Sequence, residues 1–493
     1  MKNIIIAALA VCTLSACDDF LDEKLKGDFN SDNIFSNATQ AELAVNGVYN
    51  AATYCIDLWK FGDVASDDAV KGGSDGDQAD LSYIDDFSAN ADNGVLSEFW
   101  QSSYEVISRA NNVIAYVPNI DMDATLRDRY VAEAKFFRAF VYFHLVNIYG
   151  EVPLKLLPQI DDASIHVGLS SVSAIYSQIE KDLRDASTLP VSYSTSDAGR
   201  VTRGAAYGLL AKAQLYQKKY SDVLTTIQLI ENLDIYDLER PYSNLFKLGG
   251  EDSKEVLFAI RFLSGQNPGL GNSLNQWLAP QNESGYYFDA PTQSYVDAFD
   301  EKQVNGEDDL RLDASIGRDG KDWFNGDVFS SSWSPATGYL VKKHNQPLDE
   351  VSKGTKGDGG LSYIYLRYAD ILLMKAEALN ETHHPDLAKI EVDKVRDRAG
   401  LAGVSTVTES AMREVIRKER RKELGFEFHR FFDLMRWGKD VAEAALGSSF
   451  KWQEPRFYFP IPQSEKDANL GICLLYTSPS PRDRQKSRMP SSA

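Results

Sequence analysis

Tryptophan and tyrosine set in polar, loop-like sequence are the residues of this chain best suited to holding a ligand. Trp59 and Tyr83 lie between residues 57 and 93, a stretch crowded with aspartate. Trp277, Tyr286, Tyr287, Trp323 and Trp333 lie between 249 and 360, a stretch rich in Gly, Asn, Asp and Ser. Aromatic faces stack on the apolar faces of sugar rings, while Asp, Asn and Arg bond the hydroxyls. Long polar stretches without secondary structure are usually functional or disordered, and the aromatics argue against disorder. Any one of these seven aromatics could instead anchor its own loop. Trp100, in Glu98-Phe99-Trp100 at a helix start, reads as core.

Catalytic chemistry has less support. There is no G-x-S-x-G elbow, no H-E-x-x-H and no P-loop, and Gly269-Leu270-Gly271 does not complete a dinucleotide fingerprint. His383 and His384 are adjacent, so they cannot share a helix face, and they read as exposed helix-end residues. With 72 acidic residues some carboxylate pair is always close, so a glycosidase pair carries no signal. Asp75, Asp77 and Asp80 in a Gly-rich loop are candidate oxygen ligands for a structural calcium ion. The loop lacks the rest of an EF-hand and reads first as a solvated acidic loop. No other cofactor is expected.

Charge narrows the partners. The 52 basic and 72 acidic residues give a formal −20, a surface that repels nucleic acid. The densest charge feature, residues 413–436, interleaves basic and acidic residues with Phe426, Phe428, Phe431 and Phe432. Mixed signs predict an ion-paired helix and its turn, with Glu414 and Lys418 as an i,i+4 pair, rather than a nucleic-acid patch.

Helices must position the loops. In residues 129–150, Val131, Ala134, Phe137, Val141, Leu145 and Ile148 form one apolar face, and Phe136, Phe140 and Phe143 a second. A helix apolar on two sides is buried, and Gly150 with Pro153 beyond it marks the stop. Residues 202–233 read as a helical hairpin with Leu209, Ala213, Tyr216 and Tyr220, then Val223, Ile227 and Ile230. A similar unit places Tyr365, Ala369, Leu372, Ala376 and Leu379 on one helix and Ala388, Val392, Val395 and Ala399 on the next. Small residues in such pairs let helices pack closely, as in tetratricopeptide units.

The two ends differ from the rest. Residues 1–16 combine Lys2, a short apolar run and small residues, which marks a secretory signal. Leu14-Ser15-Ala16-Cys17 resembles a lipobox, predicting cleavage before Cys17 and its lipidation, with acidic residues following. With Cys12 removed and Cys17 lipidated, Cys55 is the one thiol left before residue 473, so no internal disulfide is expected. Residues 473–493 shift to Ser, Pro and Arg and look like a translated adapter joined to a gene fragment.

The chain resembles the SusD/RagB family of outer-membrane nutrient-binding lipoproteins. The signature Ile416-Arg417-Lys418-Glu419-Arg420-Arg421-Lys422-Glu423-Leu424-Gly425-Phe426-Glu427 carries the resemblance, with Arg430-Phe431-Phe432-Asp433-Leu434 and Arg436-Trp437-Gly438. Phe137-Arg138-Ala139 through Tyr149-Gly150-Glu151-Val152-Pro153-Leu154 is similar to the family's helix and exit loop. Three further blocks follow in order: Leu366-Arg367-Tyr368-Ala369-Asp370, Val395-Arg396-Asp397-Arg398-Ala399-Gly400-Leu401 and Tyr458-Phe459-Pro460-Ile461-Pro462.

The resemblance implies an all-α fold of tetratricopeptide-like hairpins, with long irregular loops and minor β structure carrying the binding surface. It divides the mature chain into an N-terminal half, 17–248, and a C-terminal half, 249–472. It implies a lipid-anchored protein on the outer face of the outer membrane that binds oligosaccharide and passes it to a TonB-dependent, SusC-like transporter, without catalysis. An assembly scaffold without glycan affinity and a surface glycoside hydrolase are the competing readings.

Overall fold

The structure, a computed structural model, describes residues 35–267, 269–351, 356–405 and 408–473. The expected leader, Cys17 and the tail beyond Cys473 lie outside the described residues.

Helices dominate. They are α1 (Ala38–Ala51), α2 (Gly94–Tyr116), α3 (Ala124–Tyr149), α4 (Val172–Ala186), α5 (Arg203–Tyr216), α6 (Tyr220–Glu231), α7 (Tyr368–Glu381), α8 (Pro385–Arg398), α9 (Glu409–Leu424) and α10 (Arg430–Trp437). The α3 helix starts where the Asp123 side chain accepts from the Leu126 amide at 2.8 Å, and it stops at Gly150. From Phe136 to Tyr149 every residue is buried, as the two apolar faces predict. Arg138 fastens α3 to α4 through two bonds to Asp182, each 2.8 Å.

The predicted hairpins form and join one another. Thr202 caps α5, and the buried small residues Ala205, Ala206 and Gly208 let α5 sit close to its neighbours. Leu366 and Leu257 fill the space beside Gly208. Lys375 of α7 reaches Glu231 of α6 at 2.5 Å and Glu391 of α8 at 2.9 Å, joining the two hairpins. Ala369, Leu372, Ala376, Ala388, Val392 and Val395 then share a core with Met412 and Ile416 of α9.

Tyr365 corrects the sequence reading. It lies on a strand, and α7 begins only at Tyr368, because residues 363–367 pair with 256–260. The strands are β1 (Ala69–Gly72), β2 (Val256–Ile260), β3 (Phe288–Pro291) and β4 (Tyr363–Arg367). In the antiparallel β2–β4 ladder Val256 faces Arg367 and Ile260 faces Tyr363. Phe258 of β2 packs edge-on against Phe136 at 4.9 Å and Phe140 at 5.3 Å, seating the ladder on α3.

The charged segment 413–436 is ion-paired, but with distant partners more than within itself. Arg420 bonds Asp370 of α7 at 2.8 Å, and Arg311 and Arg398 both reach Glu423. The expected Glu414–Lys418 pair does not form. Glu414 takes Arg417 at 2.8 Å, and Lys418 takes Asp300 at 2.5 Å, since Asp300 sits opposite it. Cys55 is buried and unpaired, and among the described residues no helix is long and apolar enough to cross a membrane.

Candidate functional site

The two aromatic-bearing polar stretches meet. Strand β1 from the first pairs antiparallel with β3 from the second, with Ala69 opposite Pro291, Val70 opposite Ala290 and Gly72 opposite Phe288. Gly72 has φ +70, and a Cβ there would stand 2.5 Å from the Tyr287 carbonyl oxygen, so the ladder end admits only glycine. The Gly73 amide donates to that same carbonyl at 3.0 Å.

Trp277 is the centre of the aromatic group. It projects from the short helix Leu274–Leu278 and is half-buried. Its ring lies 6.1 Å from Trp59, 5.4 Å from Phe288 and 5.5 Å from Tyr286, the last at 72°. Tyr286 is 46% exposed. The segment between the two residues folds back on itself, with the Tyr286 amide donating to Gln276 O at 2.8 Å and the Tyr287 amide to Ala279 O at 2.9 Å. Gln276 Nε2 donates to the Tyr286 hydroxyl at 3.1 Å, and the Tyr287 hydroxyl and Ser74 Oγ share a 2.7 Å bond. Lys60 Nζ stands 6.0 Å from the ring centroids of both Trp59 and Trp277 and pairs with Asp57 at 3.1 Å. The result is an exposed tyrosine and a half-buried tryptophan in edge-to-face contact, ringed by an amide, a hydroxyl and an ammonium.

Backbone strain concentrates in this loop. Tyr287 at φ 45 and Asp289 at φ 55 both adopt the left-handed region without being glycine. Such conformations persist only where surrounding structure enforces them, and they cluster at ligand-binding sites. Beneath the platform, Asp289 is fully buried. Burial, then the carboxylates of Asp68 and Asp85, push its pKa well above the usual carboxylate range.

The seven predicted aromatics divide by burial. Trp277, Tyr286 and Tyr287 come together as described. Trp59 is fully buried and cannot face a sugar; it backs Trp277 instead. Trp323 is also fully buried, and its Nε1 donates to Glu283 at 2.7 Å, which pins the loop that carries Tyr286. Trp333 is half-buried against Phe329 at 5.3 Å. Tyr83 is 47% exposed on the short helix Ala79–Asp85. Trp100 is core, as expected, and His383 is exposed beside Glu409.

Asp75 and Asp77 are exposed, and Asp80 spends its carboxylate on the Gly94 amide at 2.9 Å, at the start of α2. Those three do not converge, and among the described residues no group of three or more His, Cys, Asp or Glu could hold a metal ion. Lys60, Ser74 and Gln276 were not singled out from sequence. Their signal was only proximity, to Trp59, to the Gly72-Gly73 turn and to Trp277 respectively.

Comparison with known proteins agrees with this architecture. The SusD family model matches residues 254–473, and a second model, described as starch-binding and associating with the outer membrane, matches residues 19–215. The chain is 26% identical over 476 residues to SusD-like protein P2 of Formosa agariphila, spanning 88% of this chain and 90% of that protein. It is 25% identical over 485 residues to a SusD-like protein of Bacteroides ovatus, spanning 90% and 84%. Its fold is similar to that of a laminarin-binding SusD-like protein (TM-score 0.75, 28% identity, 88% and 98% covered). A SusD-like protein of Bacteroides fragilis shares the fold at TM-score 0.77, with 24% identity and 90% and 97% covered.

Proposed function

We propose, from the premise that the chain belongs to the SusD/RagB family, that it binds oligosaccharide or polysaccharide through the Trp277–Tyr286 platform. The observation that carries this reading is the pairing of β1 with β3. It brings Trp277, Tyr286 and Gln276 beside Lys60 and Ser74, which come from a stretch of chain about 200 residues away. Two aromatic faces inclined at 72° suit the curved apolar faces of linked sugar rings, and the surrounding polar groups suit their hydroxyls.

In this reading the protein is held to the outer membrane by acyl chains on Cys17, faces outward, and hands glycan to a TonB-dependent transporter. It does so without breaking glycosidic bonds. The laminarin-binding relative supports glucan as the first ligand to try.

The test is calorimetry of the chain from residue 18 onward against laminarin and a panel of plant and microbial polysaccharides. The expected result is binding of at least one glycan that Trp277→Ala weakens about tenfold or more. Binding that survives in both Trp277→Ala and Tyr286→Ala overturns the platform. Absence of any glycan binding, with co-purification of a transporter, favours the scaffold reading. New reducing ends on incubation favour a hydrolase.

A further inference from the structure

Strand β2 runs out beside a groove that none of the platform residues lines. The groove has two chambers, one of about 600 Å³ and one of about 350 Å³. The larger lies between the end of α1, the loop at 196–200 and the chain leaving β2 at 261–263, and the smaller continues toward Tyr193 and Tyr236. Gly199, Arg200, Phe258, Ala259 and Arg261 line both chambers, which makes them one groove. At the junction Gly199 has φ +90, and a Cβ on it would stand 2.5 Å from Arg261 Cδ, so glycine lets the arginine stem lie against the loop. The floor is firm, because Phe258 is seated on Phe136 and Phe140 of α3.

Charge along the groove cancels. Asp197, Glu251 and Asp252 stand against Arg200, Arg261 and Lys254. Arg200 pairs with Asp197 at 2.8 Å and with Glu133 at 2.9 Å, and Arg261 pairs with Asp252 at 2.6 Å. Nothing there favours an ion of either sign.

The accessible groups are apolar faces and uncharged polar ones. Phe262 is half-buried in the wall of the larger chamber, and among the described residues no other ring and no cation stacks on it. Beside it Leu263 and Leu270 are 56% and 45% exposed, tied together by the Leu263 amide donating to the Leu270 carbonyl at 2.9 Å. From α1 come Asn46 and Asn50, both exposed and four residues apart, hence on one helix face. Asn46 Oδ1 accepts from Arg200 Nη2 at 3.1 Å, and the Asn50 side-chain amide has no partner among the described residues. Ser196 of the larger chamber and Ser192 of the smaller are exposed as well. A molecule with apolar ring faces and many hydroxyls uses both kinds of group. The larger chamber alone is within the roughly 300–1,000 Å³ of small-molecule pockets.

We propose that this groove is a second binding site for an uncharged oligosaccharide, separate from the Trp277–Tyr286 platform. It rests on the reading that the chain binds glycan and adds a place where it does so. Phe262 carries one sugar ring, Asn46 and Asn50 bond its hydroxyls, and the smaller chamber takes the neighbouring unit.

The experiment is calorimetry of the chain from residue 18 onward with laminarihexaose, maltohexaose and xylohexaose, and with hexagalacturonate as a charged counterpart. The expected result is two sites for at least one neutral hexasaccharide, one of them weakened about tenfold or more by Phe262→Ala and several-fold by Asn50→Ala. Trp277→Ala removes the other site and leaves this one unchanged. A single site that is lost in Trp277→Ala and unchanged in Phe262→Ala overturns the groove and leaves the platform standing. A single site lost in Phe262→Ala and unchanged in Trp277→Ala supports the groove and overturns the platform. No binding of any neutral hexasaccharide overturns both, and tighter binding of hexagalacturonate at the Phe262 site overturns the uncharged assignment. Asn50→Ala is an exposed change that keeps the fold, so it decides the matter if Phe262→Ala fails to fold. Unchanged affinity at both sites in that variant overturns the proposal.

Discussion

Arg367, the last residue of β4, grips Glu427 with two hydrogen bonds, Nε to Oε2 and Nη2 to Oε1, each 2.7 Å. Neither side chain is more than 2% exposed. The same guanidinium reaches Glu255 at 2.7 Å and Glu423 at 2.5 Å, and Lys343 completes Glu427 at 2.7 Å. Burial alone would raise the Glu427 pKa, but Arg367 and Lys343 hold it down at about 2. This knot fixes the turn between α9 and α10 against the β2–β4 ladder.

Removing Arg367 therefore leaves three buried carboxylates short of a partner. Arg367→Leu is expected to lower unfolding free energy by about 3–5 kcal/mol, the cost of breaking a buried ion pair on one side only. Urea unfolding followed by circular dichroism reads this directly. A loss under about 1 kcal/mol would mean that Arg398 and Arg311, which also bond Glu423, take over the compensation.

The burial of Trp59 and the exposure of Tyr286 predict opposite phenotypes. Trp59→Ala removes a fully buried ring behind Trp277 and should cost about 3–5 kcal/mol of stability. Tyr286→Ala removes a half-exposed ring and should cost under about 1 kcal/mol, while weakening glycan binding several-fold. Thermal unfolding and calorimetry on the two variants separate the effects. Equal stability losses would show that Tyr286 is a loop anchor.

The sequence made the scaffold legible because helices advertise themselves locally. Apolar residues at Ala369, Leu372 and Ala376 spacing, and the two apolar faces of α3, need no knowledge of distant partners. Tyr365 was misplaced because an apolar residue before a helix fits its periodicity equally well, and only pairing with Val256–Ile260 assigns it to a strand. The platform was half legible. Aromatics in polar sequence picked out Trp277 and Tyr286, but nothing local separates them from Trp59 or Trp323. Burial is decided by β1 meeting β3 across more than 200 residues, and by Glu283 bonding Trp323. The wrong i,i+4 pairing of Glu414 with Lys418 has the same origin, since Asp300 comes from elsewhere in the chain.

Gly62 links the signature turn to the platform. It closes the short helix Trp59–Gly62, and a Cβ there would fall 2.2 Å from the Phe428 carbonyl oxygen. Phe428 itself is at φ 68, so the turn has little freedom to retreat. Gly62→Ala is expected to lower stability by about 1–3 kcal/mol and to weaken glycan binding, because the displaced helix carries Trp59 and Lys60. Wild-type unfolding and unchanged glycan affinity together would show that the turn yields without cost.

Acidity should strengthen the platform's underside. Asp85 accepts the Lys71 amide at 2.9 Å beside β1, and burial raises its pKa from 3.8 to about 6. The folded state thus holds a proton that the unfolded chain releases near pH 4. Its stabilising contribution is fully present below about pH 4 and is lost as pH rises through about 6. Between pH 4 and pH 7 the wild type should therefore lose about 2 kcal/mol relative to Asp85→Asn, whose neutral amide keeps an oxygen for Lys71. The measurement is paired urea unfolding of both proteins at pH 4, 5, 6 and 7. A stability difference that stays constant across the series, or that moves in the opposite direction, means that Asp85 titrates as it does in the unfolded chain.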